Sequence, residues 1–212
     1  MAIADERYLL RNVTVLLSGG LDSSLCAELA HQQGRLRNCL HIHYGQPASA
    51  QEARCSRAVA DSLGVQCFVR QGVGTADAMA TGVGEPGPRV VPGRNLWMAS
   101  IAISYALETG STSVWLGCNA DDAKNYPDCR PAFIEALNAM AQATYGVEVA
   151  APLMLRTKKD IVRKWLALGR DLDETWSCYQ PREVPWTKDV PCGTCDACVL
   201  RADAIAADKR GW

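Results

Sequence analysis

Long apolar runs are missing from this chain of 212 residues. No stretch approaches the roughly 18 consecutive apolar residues that a bilayer span needs. The opening MAIADERYLLRN is charged and too short in its apolar run for a secretory signal. The expected compartment is therefore the cytoplasm. An excess of charge of one sign is missing too: 22 Lys and Arg stand against 23 Asp and Glu, with a pI near 6.3. Without a basic surplus there is nothing to bind a polynucleotide backbone unspecifically, which argues against nucleic acid as a partner. There is no internal repeat and no low-complexity tract. What remains is an ordinary composition, 48% hydrophobic, long enough for one sizeable core and a small appended subdomain.

Along the chain, short apolar runs alternate with segments of helical period. NVTVLL (12–17), NCLHIHY (38–44), VQCFVR (65–70) and SVWLGC (113–118) read as strands, and VEVAAPL (147–153) as extended. Helices are predicted from about Asp22 to Gln33, Gln51 to Leu63, Leu96 to Glu108 and Pro131 to Thr144. A further helix is capped by Thr157 and ends near Gly169. Residues 72–95 are rich in Gly and Pro and read mostly as loop. The alternation predicts an α/β fold, a doubly wound parallel sheet covered on both faces. After residue 170 the rhythm breaks. The expected division is a 1–170 nucleotide-binding body and a 171–212 cysteine-rich appendage.

The stretch VTVLLSGGLDSSLCAELA (13–30) places Ser-Gly-Gly-x-Asp-Ser-Ser between the first strand and the first helix. In open α/β sheets, ligands sit beyond the carboxyl ends of the strands. A helix N-terminus there offers unpaired N–H groups and partial positive charge, which suit phosphate. Gly19 and Gly20 let the backbone curl around an anion, and Ser18, Ser23 and Ser24 add hydroxyl donors. Asp22 would repel phosphate, so its expected tasks are capping the helix or holding Mg²⁺. A Walker loop is excluded because no lysine follows the glycines, and a G-x-G-x-x-G fingerprint is absent.

Ten cysteines are present. Six are scattered singly and read as small buried hydrophobes. The other four, Cys178, Cys192, Cys195 and Cys198, supply four soft ligands with C-x-x-C-x-x-C spacing. A closed tetrahedral zinc site with a structural role fits them, and an iron–sulfur cluster is the rival.

The Ser-Gly-Gly-x-Asp-Ser turn resembles the PP-loop of the ATP pyrophosphatases. Together with VPGRNLWMAS (91–100), NYPDCRPAFIEALN (125–138) and SCY followed by CGTCDACVLR (192–201), it makes the chain, from about Val13 to Arg201, similar to the QueC family. The resemblance implies ATP-dependent conversion of 7-carboxy-7-deazaguanine and ammonia to the nitrile, with Mg²⁺ accompanying ATP, in a homodimer. It implies that Leu17, Ser18, Gly19, Gly20, Leu21, Asp22, Ser23 and Ser24, with His43, Tyr44, Arg94 and Asn95, bind ATP. Tyr126, Asp128 and Arg130 would meet the substrate, the aspartate accepting from a guanine-like N–H pair and the arginine holding the carboxylate. Ser18, Asp22, Arg94 and Arg130 would act in catalysis. The four clustered cysteines would hold zinc. HYGQPASAQE (43–52) departs from the family pattern at Pro47 and Ala48, where Arg and His are usual, and Asn125 replaces a glycine.

Three other readings stay open at this level. One couples a deazaguanine carboxylate to another amine and stops at the amide. Another is a tRNA-thiolating PP-loop enzyme with an iron–sulfur cluster. The last is a binding module with a dead nucleotide loop.

Overall fold

The computed structural model describes residues 12–71, 91–182 and 189–209. Five strands form one parallel sheet: β1 (Val13–Leu16), β2 (Leu36–His43), β3 (Cys67–Gln71), β4 (Ser113–Trp115) and β5 (Glu148–Ala150). Their spatial order is β3-β2-β1-β4-β5. The chain winds outward from β1 through β3 on one side, then returns to place β4 and β5 on the other. The order therefore reverses between β1 and β4, and a crevice opens there beyond their carboxyl ends. The predicted loop at 72–90 lies outside the described residues.

The helices are α1 (Leu21–Gln32), α2 (Ser49–Ser62), α3 (Arg94–Thr109), the short α4 (Asp122–Asn125), α5 (Pro131–Tyr145), α6 (Lys158–Ala167) and α7 (Asp196–Lys209). Strand alternation divides the core in two. Val13, Val15, Leu17 and Trp115 bury against one layer with Leu25 of α1, Val59 of α2 and Ile161 and Trp165 of α6. Leu40, Ile42, Val114, Leu116 and Val149 bury on the opposite face against α3 and α5. Thr14, fully buried, donates to Asn38 or Ser111, whose side-chain oxygens both lie at 2.8 Å. These three buried polar side chains are thus paired with one another.

Two elements differ from the sequence expectation. The fourth strand stops at Trp115 instead of Cys118, because residues 116–118 turn into the crevice at the sheet's reversal point. The cysteine-rich tail ends in a 14-residue helix, α7, which packs along α6 and inserts Ala204 into the main core. The predicted Thr157 cap is present: its hydroxyl accepts from Asp160 N while the Asp160 carboxylate accepts from Thr157 N. No helix among the described residues is long and apolar enough to cross a membrane.

Candidate active site and cysteine knot

The crevice at the reversal point holds a pocket of about 270 Å³, with walls from β1, β2, the segment 116–118 after β4, and α1, α2, α3, α4, α6 and α7. Its floor is the turn between β1 and α1. Gly19 there has φ +80°, and a Cβ at this position would run into the carbonyl of Glu52 in α2. Only glycine fits. The Ser23 hydroxyl staples the turn, accepting from Ser18 N at 3.1 Å and donating to Gly20 O at 3.1 Å. Ser18 Oγ, 3.0 Å from that hydroxyl, accepts from Gly20 N. The result is a fixed loop at the N-terminus of a 12-residue helix, and Ser18, Gly20, Leu21, Asp22 and Ser23 of it line the pocket. Gly117, after β4, closes it from the side. A Cβ there would lie 2.9 Å from Ser23 N.

Asp22 does not cap α1, whose N-cap is Gly20, a residue with no side chain to accept a first-turn N–H. Its Oδ2 pairs with Lys158 Nζ at 2.5 Å instead. Lys158 opens α6, so the predicted Thr157 cap sets a lysine beside the β1–α1 turn. Asp122 of α4 stands close by, and burial, then the Asp22 charge, pushes its carboxyl up to about 6. Asn119 Nδ2 donates to it over 2.7 Å. The two carboxylates more than offset burial on Lys158 and hold its ammonium charged. Asp22 Oδ1 is buried and accepts no hydrogen bond among the described residues. An acceptor oxygen without a donor, next to a second carboxylate, has the chemistry to take a hard cation.

The two other motifs clasp one another. Asn95 N donates to Asp128 Oδ2 at 3.0 Å, and the Asn95 side chain donates to Asp128 O at 3.0 Å and to Cys129 Sγ at 3.2 Å. Asp128 thus satisfies a first-turn N–H of α3 from a distant segment. Arg94, Asn95, Tyr126 and Cys129 line the pocket, whereas Asp128 and Arg130 do not. Arg130 is exposed and donates to Ala123 O. The half-buried Arg94 side chain lies against the hydroxyl of Tyr44 and near Tyr179. Of the residues expected to bind nucleotide, Leu17, Ser18, Gly20, Leu21, Asp22, Ser23 and Tyr44 also line the pocket. Gly19 supports the turn from beneath, Ser24 is fully buried in α1, and His43 lies outside the lining.

Sequence reading missed Lys158, Asp122, Glu52, Gln46 and Tyr179. Gln46 and Glu52 belong to the quoted stretch 43–52, and Tyr179 follows Cys178 directly, so each sat inside a segment already singled out. In that stretch Pro47 and Ala48 both line the pocket, and Ala48 is also buried against Trp176 and the cysteines.

The four clustered cysteines do converge. The sulfurs of Cys178, Cys192, Cys195 and Cys198 all lie within 4.8 Å of one another. Cys192 Sγ accepts from Thr194 N at 3.5 Å and Cys195 N at 3.3 Å, across a turn in which Gly193 takes φ +76°. Amides aimed at a sulfur favour thiolate, and four thiolates in a closed cage are the donor set of a structural metal. The knot touches the β1–α1 turn directly. Trp176 N donates to Gly19 O at 2.8 Å, and Trp176 Nε1 donates to Cys178 O at 2.8 Å. Arg201 of α7 adds bonds to Thr175 Oγ1 at 2.8 Å and Ser177 Oγ at 3.1 Å. Of the six scattered cysteines, Cys67 is half-buried and the rest are buried as expected.

Among solved structures, a U34-tRNA thiolase from Methanococcus maripaludis with its [4Fe-4S] cluster superposes with TM-score 0.54. It shares 15% identity, over 96% of this chain and 68% of that one. A 4-thiouridine synthetase–RNA complex with bound ATP gives 0.52 at 19% identity, over 92% of this chain and 53% of that one. These likenesses show that the fold is shared with both. Closer relatives exist in sequence. A 7-cyano-7-deazaguanine synthase from Koribacter versatilis is 38% identical over 90% of this chain and 87% of that protein. Another, from Azoarcus sp., is 38% identical over 93% of both. The family model described as queuosine biosynthesis protein QueC matches residues 12–209, and with the loop, the clasped motifs and the cysteine knot all in place, the chain belongs to the QueC family.

Proposed function

We propose that this protein is an ATP-dependent ligase that converts 7-carboxy-7-deazaguanine and ammonia to 7-cyano-7-deazaguanine. The observation that supports this best is the stapled loop at the N-terminus of α1, flanked by the Lys158 ammonium and the Arg94 guanidinium in one pocket. In this reading a carboxylate oxygen of the substrate attacks the α-phosphorus of ATP, and pyrophosphate leaves. Ammonia then attacks the acyl carbon, the bond to the adenylate oxygen breaks, and AMP departs with the electron pair. A second adenylation, at the amide oxygen, makes that oxygen a leaving group. Loss of two N–H protons and of AMP gives the nitrile.

The first-turn amides of α1, from Leu21 to Ser23, hold the leaving pyrophosphate, where donors fixed before reaction are worth most. Lys158 offsets charge on the same oxygens. Asp22 Oδ1 is the position for Mg²⁺ arriving with ATP, which when bound supplies charge neutralisation at the phosphates. Arg94 reads a substrate carboxylate or phosphate through its planar fork. Tyr126 completes the substrate wall, and Asp128 serves by fixing α3. We assign zinc to the four cysteines, where it folds residues 171–212 onto the 1–170 body, and we place the enzyme in the cytoplasm as a homodimer. Mass spectrometry of the product, with ATP counted, tests the reaction. Two ATP per nitrile are expected, and one ATP per amide would overturn the nitrile assignment. A colourless protein carrying stoichiometric zinc is expected, and a brown one would overturn the metal assignment.

A further inference from the structure

Three carboxylates line the pocket: Asp22, Asp122 and Glu52. Asp22 is paired with Lys158, and Asp122 shares their charge cluster. Glu52 has a different setting. It sits in the first turn of α2, and its Oε2 accepts from Gln46 Nε2 at 2.8 Å. That amide cannot turn round, because Gln46 Oε1 accepts from Tyr44 N at 2.9 Å. The carboxylate is therefore held in one orientation, and among the described residues the Gln46 bond is the one hydrogen bond its side chain accepts. A carboxylate has about four lone-pair positions, so most of its accepting capacity is left over. Arg94 is near enough to lower its pKa, but burial dominates and pushes the carboxyl up to about 7. A half-buried acceptor with spare capacity, lining a pocket, is placed to take donors that a ligand brings.

The deazaguanine reading, on which this inference rests, supplies such donors. The ring carries a lactam N–H and an exocyclic amine side by side on one edge. Two parallel donors match the two oxygens of a carboxylate. ATP offers no such edge: its adenine presents a single amine, and its phosphates would be repelled. Asp128, the other aspartate considered for this task, is committed to the backbone of Asn95 and lies outside the lining. We propose that Glu52 is the specificity-determining residue that reads the lactam–amine edge of the deazaguanine, held in place by Gln46.

The test is exchange of labelled pyrophosphate into ATP, driven by substrate in the absence of ammonia. Wild type, Glu52→Gln and Glu52→Asp are each given 7-carboxy-7-deazaguanine and its analogue lacking the 2-amino group. Glu52→Gln keeps an acceptor for Gln46 but turns an amine toward the substrate's donors. A bidentate base contact discriminates by about 10- to 100-fold. Wild type should therefore favour the 2-amino substrate by about that factor. In Glu52→Gln, KM for that substrate should rise about 10- to 100-fold while the analogue changes less than about threefold, and Glu52→Asp should recover part of the preference. Equal losses with both substrates would overturn the proposal in favour of a structural role. Unchanged exchange with loss of the ammonia-dependent product would overturn it in favour of proton acceptance from ammonia. Undisturbed ATP binding by calorimetry certifies the folded variant. If wild type itself shows no exchange with either compound, the reaction reading fails, which is distinguishable from failure of the Glu52 assignment alone.

Discussion

Trp176 donates its backbone N–H to the carbonyl of Gly19 over 2.8 Å, and so ties the cysteine knot to the turn between β1 and α1. The carbonyl of Trp176 also lies 3.5 Å from where a Cβ on Gly20 would stand. The segment leading to Cys178 is thus one wall of the loop. Metal loss should therefore reach the nucleotide site as well as the tail. Cys195→Ser, or zinc chelation, is expected to lower the melting temperature, because removing a thiolate weakens metal-coupled folding. It should also weaken ATP binding about tenfold or more. Thermal melts and calorimetric titration with ATP check both, and unaltered ATP affinity in a metal-free folded protein would contradict the coupling.

The Asp22–Lys158 pair is mostly buried, with side-chain exposures of 19% and 14%. Breaking such a pair from one side typically costs about 3–5 kcal/mol, much of it from the charge left behind. Lys158→Met leaves Asp22 facing Asp122 without a cation, so it should be more damaging to stability than Asp22→Asn at neutral pH. Both variants should lose adenylation by a factor of about 100 or more. A double-mutant cycle on urea unfolding should give a coupling energy of about 1–3 kcal/mol. Additive effects would show that the pair does not act as a unit.

Gly117 is a packing constraint with a functional consequence. Its approach to the Ser23 backbone leaves no room for a methyl group. Gly117→Ala should push the first turn of α1 away from β4 and cost about 1–3 kcal/mol, as overpacking does. ATP affinity should fall with it, because Ser23 staples the loop. Normal ATP binding in the alanine variant would mean that the loop tolerates the shift.

Glu52 also predicts a pH signature. Its folded pKa of about 7 stands above the ordinary 4.5. The folded state then holds the proton more tightly than the unfolded chain. The stability contributed by this group is full below about 4.5 and is lost as pH rises through about 7. Asp122, pushed up to about 6, has the same sign. Buried His41, held below its ordinary value by desolvation, has the opposite sign below about 6.5. Glu52→Gln isolates the first term against its neighbours Gln46 and Arg94. Relative to wild type, the variant should gain on the order of 1–3 kcal/mol between about pH 5 and pH 8. Urea midpoints across that range measure it, and parallel curves would contradict the assigned burial.

Much of this site was legible before any coordinates. The turn 18–24 lies where strand and helix periods meet, so its place at the sheet's carboxyl edge followed from pattern alone. The cysteine spacing likewise implied convergence, because thiols so close along the chain have little else to do. Lys158 and Glu52 were not legible. Each is one charged residue in the first turn of a polar-looking helix, and the turn that faces a crevice is decided by how whole helices pack. The terminal helix was missed for a related reason. The buried Ala204 belongs to an apolar face made of small side chains, which a sequence pattern dominated by cysteine and proline conceals. Asp128 shows the converse error of emphasis: a carboxylate in a discriminating motif serves the backbone of a neighbouring helix.

Oxygen-18 in the substrate carboxylate decides whether the α1 loop presents the innermost phosphorus of ATP to an acid oxygen. After turnover with ammonia, each AMP released should carry one labelled oxygen, and the pyrophosphate none. Label in pyrophosphate or phosphate, or release of ADP, would mean that attack falls on a different phosphorus and that the loop holds the nucleotide in another register.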